Sequence, residues 1–301
     1  MTSVINVPAS LDDQTFEQVL EQVAPLPPDA KILVDARRTR WASPYGLTAL
    51  LTLGQTRTER PALAVPEMER TASYWSRACF FHHAAEIFDI HGAYPKRNAT
   101  GDSTVLLEVT PMAKTNDVHS VVGHIQERAK QIISHELHLE TSATMGFTLT
   151  LSEICQNIVE HAGPGRGGWV AVQTYNWAQR LGRRVVVIAV CDSGIGFRQS
   201  LQSAPGHVAG DRWDDASALE EAVIRGVSRF RERGRGQGLA GARKYVGRWN
   251  GKLSVRSGTA KIAIVPSWDD DVPLAQGLAP FPGAQVQVII PEAVDETRRE
   301  R

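Results

Sequence analysis

Apolar positions recur along this chain with two periods, and the change from one to the other divides it. Over residues 1–112 short apolar runs alternate with helical stripes. VINV (4–7) is a brief run, LDDQTFEQVLEQV (11–23) carries helical spacing after an Asp-rich start, and the proline-rich stretch Pro25–Asp29 breaks it. KILVD (31–35) reads as a buried strand. It leads into ARRTRWASPYGLTALLTLG, where Leu47, Leu50, Leu51 and Leu53 predict a helix opening near Pro44 and closing at Gly54. LAV (63–65) is a further strand and TASYWSRACFFHHAAEIF (71–88) a further helix. The segment HGAYPKRNATGDS (91–103) is polar, carries Gly and Pro, and loses the periodicity, which places a domain seam after it, with 112/113 as the boundary.

From Asn116 the stripes lengthen. Val118, Val121, Val122, Ile125, Ala129, Ile132 and Ile133 trace one apolar face. After Thr141 comes LSEICQNIVEHA (151–162), where Leu151, Ile154, Cys155, Ile158 and Val159 form a core-facing row while Glu153, Asn157 and His161 stand four apart in a second row. Strands follow: GGWVAVQTYNW (167–177) and RRVVVIAVCD (183–192) joined near Gly182, then KLSVR, KIAIV and AQVQVIIP after a long charged interval. Helices followed by a largely sequential sheet predict an α/β, two-layer sandwich over 113–296, preceded by a small α/β domain over 1–112 and followed by a charged tail, 297–301.

Composition narrows the class without naming a partner. The 301 residues are 42% hydrophobic and 22% charged, enough for a proper core and for two domains. Thirty-three basic residues cancel 33 acidic ones, so no overall field points to nucleic acid or an anionic membrane. Cys79, Cys155 and Cys191 are odd in number and far apart in apolar runs, which predicts buried thiols in a reducing compartment. MTSVINVPAS lacks the basic start and apolar run of a signal peptide, and no apolar run approaches a bilayer span. A cytoplasmic protein is the expectation.

Two glycine-bearing segments carry candidate chemistry. CDSGIGF (191–197) follows a strand directly; Asp192 at its end, with Gly194 and Gly196 behind it, predicts an exposed carboxylate beside a backbone that a flat ligand could approach. GRGQGLA (234–240) places Gly234, Gly236 and Gly238 at alternate positions before a helix, a cradle of amide N–H groups for an anion. It lacks the Lys-Ser or Lys-Thr pair of a P-loop, and no strand precedes it as a dinucleotide fold requires.

The ordered set of Glu/Asn/His helix, strand ending in Asp-x-Gly-x-Gly, and glycine loop opening a helix resembles the GHKL superfamily. These are the Bergerat-fold ATPases that include histidine kinases, gyrase-type and chaperone ATPases and anti-sigma serine kinases. SEICQNIVEHA resembles the N box, DSGIGF the first glycine box, GRGQGLA the second, and PGAQVQVIIP the closing strand, together covering about residues 113–292. The resemblance implies ATP and Mg2+ as ligands. Asn157 would hold the metal through its amide oxygen, and Glu153 would be the general base that orients a water or hydroxyl. Asp192 would accept from the adenine amino group, with Gly194 and Gly196 giving the base room. Gly234, Arg235, Gly236, Gly238 and Leu239 would form the phosphate loop. His161, rotated about 80 degrees from Glu153 on a helix, stands at the pocket edge, where a phosphate contact and a structural role both remain open. Residues 198–233 correspond to the ATP lid, with a capped helix, DDASALEEAVIRGVSRFRERG (214–234), and candidate arginines Arg229, Arg231, Arg233 and Arg235.

Two further likenesses are partial. SHELH (134–138) resembles the phosphoacceptor box of histidine kinases, but only 18 positions separate His135 from Glu153 and Leu139-Glu140 departs from the family's continuation, so autophosphorylation there is not expected. KILVDARRTRWASPYGLTALLTLG resembles the STAS domain of anti-sigma-factor antagonists, with Pro44 at the phosphoacceptor position and Ser43 as a helix cap. The resulting expectation is a regulatory Mg-ATP-binding protein that hydrolyses ATP slowly or phosphorylates a protein serine or threonine. The alternative is a nucleotide-gated interaction module without useful turnover. A regulatory protein partner is expected and a homodimer is compatible with either; no membrane and no direct nucleic acid is.

Overall fold

The computed structural model describes residues 2–96, 105–113, 117–121, 123, 148, 150–156, 167–178, 181–203, 213–227 and 238–293. The N-terminal unit alternates strands and helices. Strands β1 (Ser3–Asn6), β3 (Ile32–Asp35), β5 (Ala62–Ala64) and β6 (Asp89–His91) pair in that order, all parallel. Two-residue strands β2 (Ser10–Leu11) and β4 (Trp41–Ala42) pair separately. Helix α1 (Phe16–Val23) buries Phe16, Val19, Leu20 and Val23, the one-face spacing that its sequence predicts.

Helix α2 (Pro44–Gln55) starts as expected: Ser43 Oγ accepts from the Gly46 N–H at 3.1 Å and Pro44 occupies the first turn, where its missing N–H costs nothing. All residues from Pro44 to Gly54 are buried, a helix with no polar face. The single helix expected over 71–88 is two: α3 (Glu69–Arg77) and α4 (Phe80–Ile87), broken at Cys79, whose φ of 60° is left-handed and cannot continue a right-handed helix.

The second sheet is five-stranded and antiparallel, in the order β10 (Lys252–Ile264), β11 (Leu274–Pro291), β9 (Arg183–Asp192), β8 (Gly168–Trp177) and β7 (Val105–Met112). Strands β8 (Gly168–Trp177) and β9 (Arg183–Asp192) match the two β-rich runs. KLSVR and KIAIV, expected as separate strands, are one strand, β10 (Lys252–Ile264); irregular pairing at Ser257–Ala260, where Gly258 takes φ 61°, absorbs the break. Strand β11 (Leu274–Pro291) extends the expected closing strand toward its N-terminus. Edge strand β7 (Val105–Met112) lies before the expected 112/113 boundary, yet it pairs with β8.

Period-two alternation assigns the faces of this sheet. Val170, Val172, Val186, Ile188, Val190, Val286 and Val288 meet the helical side, where Val118, Val121, Leu151, Ile154 and Cys155 pack. On that side also lie short helices α5 (Gly196–Gln202) and α6 (Asp215–Leu219), a π-helical turn (220–225), and α7 (Gly238–Arg248). This is the two-layer α/β sandwich of the Bergerat fold. The opposite face, Trp169, Ala171, Ala189 and Cys191 with Phe281, shares a core with Ile5, Val34, Leu63 and helices α1 and α2. Helix α2 is therefore the filling between the two sheets. Burial on both faces accounts for the unbroken apolar run VVVIAVC in β9.

Part of the segment expected to be a lid is core. Asp214 and Ser217 form a reciprocal capping box, and the Asp215 carboxylate accepts from the Thr259 N–H (2.8 Å) and hydroxyl (2.9 Å), fixing α6 to β10. Ala218, Leu219 and Val223 are buried, and Gly226 at φ 72° ends the helix well short of residue 234. Arg229, Arg231 and Arg233 lie outside the described residues, as do Asn157, His161, Gly234, Arg235 and Gly236 and the SHELH segment. All three cysteines are buried and free, as their apolar settings predict. No helix among the described residues is long and apolar enough to cross a membrane.

Candidate functional site

Asp192 is the last residue of β9, opposite Gly168 on β8. Asp192 is 5% exposed, so the expectation of an exposed carboxylate does not hold: both carboxyl oxygens are turned into the backbone. Oδ1 accepts from the Gly194 N–H at 2.7 Å, closing an Asx-type turn, and Oδ2 accepts from the Ala284 N–H at 3.2 Å. Burial pushes the Asp192 pKa up from 3.8 to about 7, against the opposing pull of those two N–H donors. The group therefore sits near the midpoint of its titration at neutral pH.

The turn around Asp192 is held by residues that no single segment of sequence brings together. Gly283, just before Ala284, has φ 77°, and a Cβ there would lie 2.1 Å from Asp192 O and 2.6 Å from Oδ1. Gly196 has φ 71°, and its Cβ would lie 2.6 Å from Ser257 Oγ. Ser257 joins the two: its hydroxyl donates to Gly283 O at 2.7 Å and accepts from the Phe197 N–H at 3.1 Å. The wholly buried Gln285 donates from Nε2 to Asp192 O (3.1 Å) and Pro282 O (2.9 Å). None of Ser257, Gly283, Ala284 and Gln285 is a site residue by the sequence expectation, although the last three fall in the closing-strand segment PGAQVQVIIP. Only the Pro282-Gly283 pair, a turn signal, hinted at them.

Behind the turn stands the N-terminal unit. Thr48 Oγ1 of α2 lies 3.2 Å from Sγ of Cys191, the residue preceding Asp192, and burial raises the Cys191 thiol pKa. Trp169, beside Gly168, donates from Nε1 to Gln55 Oε1 of α2 at 3.0 Å. The backbone carrying Asp192 is thus buttressed from the face opposite its own helices.

On the helical side, Glu153 is half-buried in the helical stretch 150–156, between buried Leu151 and buried Ile154–Cys155. That periodicity turns Ser152, Glu153 and Gln156 away from the deepest packing. Leu239 of the expected phosphate loop is 4% exposed and packs in the same core as Leu151 and Ile154, while Gly238 opens α7. The structure thus sets the Glu153 stretch, the start of α7 and the end of β9 around one sheet and its helical layer. Among the described residues no cluster of three or more His, Cys, Asp or Glu forms a metal site.

In comparison with known families, residues 143–292 match the family described as Histidine kinase-, DNA gyrase B-, and HSP90-like ATPase. Comparison with curated proteins gives no match.

Proposed function

We propose that this chain, whose residues 143–292 form an ATP-binding domain of the histidine kinase-, gyrase- and HSP90-like (GHKL) ATPase family, is a regulatory protein that acts on ATP with Mg2+. It either hydrolyses ATP slowly or passes the γ-phosphoryl group to a serine or threonine of a protein partner. The observation that carries this reading is Asp192: a buried carboxyl, poised near neutrality, at a strand end relieved of side chains by Gly194, Gly196 and Gly283. A purine amino group is a donor that such a carboxyl accepts without desolvating a second charge.

The remaining roles rest on the family resemblance of their segments. Glu153 orients the attacking water or hydroxyl; Asn157, four residues on, supplies an amide oxygen to the metal; Gly234, Arg235, Gly236 and Gly238 offer N–H groups and a guanidinium to the phosphates; His161 borders the pocket. Bound Mg2+ supplies charge neutralisation at the phosphates. The N-terminal unit is a STAS-like scaffold without the phosphorylation switch, because buried Pro44 has no hydroxyl and Ser43 is committed to capping α2.

The packing of α2 against Cys191 favours a second reading, in which nucleotide state is transmitted through the shared core to a partner without useful turnover. Calorimetry with Mg-ATP tests the common premise; no heat at about millimolar nucleotide refutes it. Phosphate release and partner labelling by Glu153→Ala separate the readings. Retained ATP binding with lost turnover supports catalysis, and unchanged signalling supports the gated module.

A further inference from the structure

A cavity of about 620 Å3 opens at the other end of the second sheet, where the N-terminal unit meets the outer face of β8, β9 and β11. Val187 of β9 lines it, five residues before Asp192, so about 17 Å of strand separates it from the Asp192 turn. Its volume is that of a small-molecule pocket. Two features of its wall are chemical rather than structural.

The first is an excess of carboxylates. Asp12, Asp13 and Asp269 line the cavity with Lys252, and Asp271 stands directly behind, shared between Lys252 and Lys261. Lys252, 2% exposed, spends its short contacts on Asp269 and Asp271, both at 2.9 Å, and lies 3.9 Å from Asp13 Oδ2. Asp13 is 7% exposed; its carboxyl faces the side-chain amide of the buried Gln287, yet neither Asp13 Oδ2 nor Gln287 Nε2 completes a close hydrogen bond. Four carboxyl groups thus meet two ammonium groups. Asp13 is the member without a close partner, and burial raises its pKa despite the opposing pull of Lys252 and of the Gln287 amide.

The second feature is aromatic. Trp41, Tyr175 and Trp177 line the same space, with Trp41 and Tyr175 edge-on at 5.6 Å between centroids. The Tyr175 hydroxyl is engaged by Tyr74 at 3.1 Å, so what Tyr175 offers is its ring. Aromatic faces attract cations through their quadrupoles, and a surplus carboxylate does so through its charge; an anion is disfavoured by both.

We propose that this cavity binds a small alkylammonium compound, with Asp13 as its counter-ion and Trp41, Tyr175 and Trp177 as its walls. The site needs no nucleotide, so its test is independent of the ATP reading. Full-length protein without ATP is titrated by calorimetry with choline and with its uncharged isostere 3,3-dimethylbutan-1-ol. Choline is expected to bind at about 1 mM or tighter and the isostere at least tenfold more weakly. Asp13→Asn should weaken choline at least tenfold, and Trp41→Leu, which touches none of the ion pairs above, about fivefold or more. The Trp41→Leu result decides should Asp13→Asn fail to fold. Equal binding of the isostere, unchanged affinity in Trp41→Leu, or no heat with choline at about 10 mM overturns the assignment.

Discussion

Asp192→Asn isolates the energetic cost of the feature on which the nucleotide reading depends. In the folded chain the carboxyl titrates at about 7, against 3.8 for an unburied aspartate. Between those values the folded state keeps a proton that the unfolded state releases, so this group removes stability as pH rises from about 4 to 7 and nothing more above that. At about pH 8 both states are ionised, and the cost is the full difference, about 4 kcal/mol at 1.36 per decade. At about pH 5.5 it is about 2 kcal/mol. Asparagine has the same shape and never titrates. It cannot accept from both the Gly194 and Ala284 N–H groups, which costs about 1–3 kcal/mol at every pH. The difference in unfolding free energy, variant minus parent, should therefore move in the variant's favour by about 2 kcal/mol from pH 5.5 to 8. Urea denaturation of both chains at the two pH values, extrapolated to water, measures it. Parallel pH profiles would show that the buried carboxyl is not the neutral-range group described, whatever the absolute stabilities.

Three further perturbations probe the frame around it. Gly283→Ala drives a Cβ into Asp192 O at a backbone angle reserved for glycine, and should cost at least about 3 kcal/mol in urea melts while weakening ATP in calorimetry more than tenfold. Arg256 of β10, 1% exposed, meets Glu17 of α1 at 2.6 Å and caps the Ala279 and Gly258 carbonyls, so Arg256→Met should cost about 3–5 kcal/mol by urea melt, and adding Glu17→Leu should restore part of it. Ellman titration should find no reactive thiol in the native chain and all three after unfolding, because Cys79, Cys155 and Cys191 are buried and burial raises the pKa values of Cys155 and Cys191.

How much of this the sequence discloses depends on how local each cause is. Strands β8 and β9, the Ser43–Pro44 start of α2 and the Asp192 strand end were legible because neighbouring residues determine them. Strand β7 is not legible in the same way: Pro111 cannot donate to a ladder, and its partner β8 lies more than 50 residues downstream. The left-handed Cys79 that splits α3 from α4 has no sequence signature at all. At the site, the carboxylate was read and its burial was not, because Ser257, Gly283 and Ala284 lie 65 to 92 residues downstream and reach Asp192 only through the pairing of β9 with β11 and of β11 with β10.

PYGLTALLTLG has no polar stripe, and a helix apolar all round must be covered on every side. VVVIAVC in β9 makes the same demand of a strand. Each is half of one fact: α2 fills the far face of the ATP-binding sheet. Gly54 shows how tightly it fits on its other side, since a Cβ there would lie 2.5 Å from both Ile87 and Phe88. A helix held on both sides at that spacing cannot shift without moving a neighbour. Thr48 is on that helix, and Cys191 beside it is one peptide bond from Asp192. The packing that makes the N-terminal unit inseparable from the sheet is the same packing that places it against the Asp192 turn. The proposed regulatory role for that unit thus requires no mobile linker, only a difference in how α2 seats against β9 when Asp192 gains or loses the proposed nucleotide.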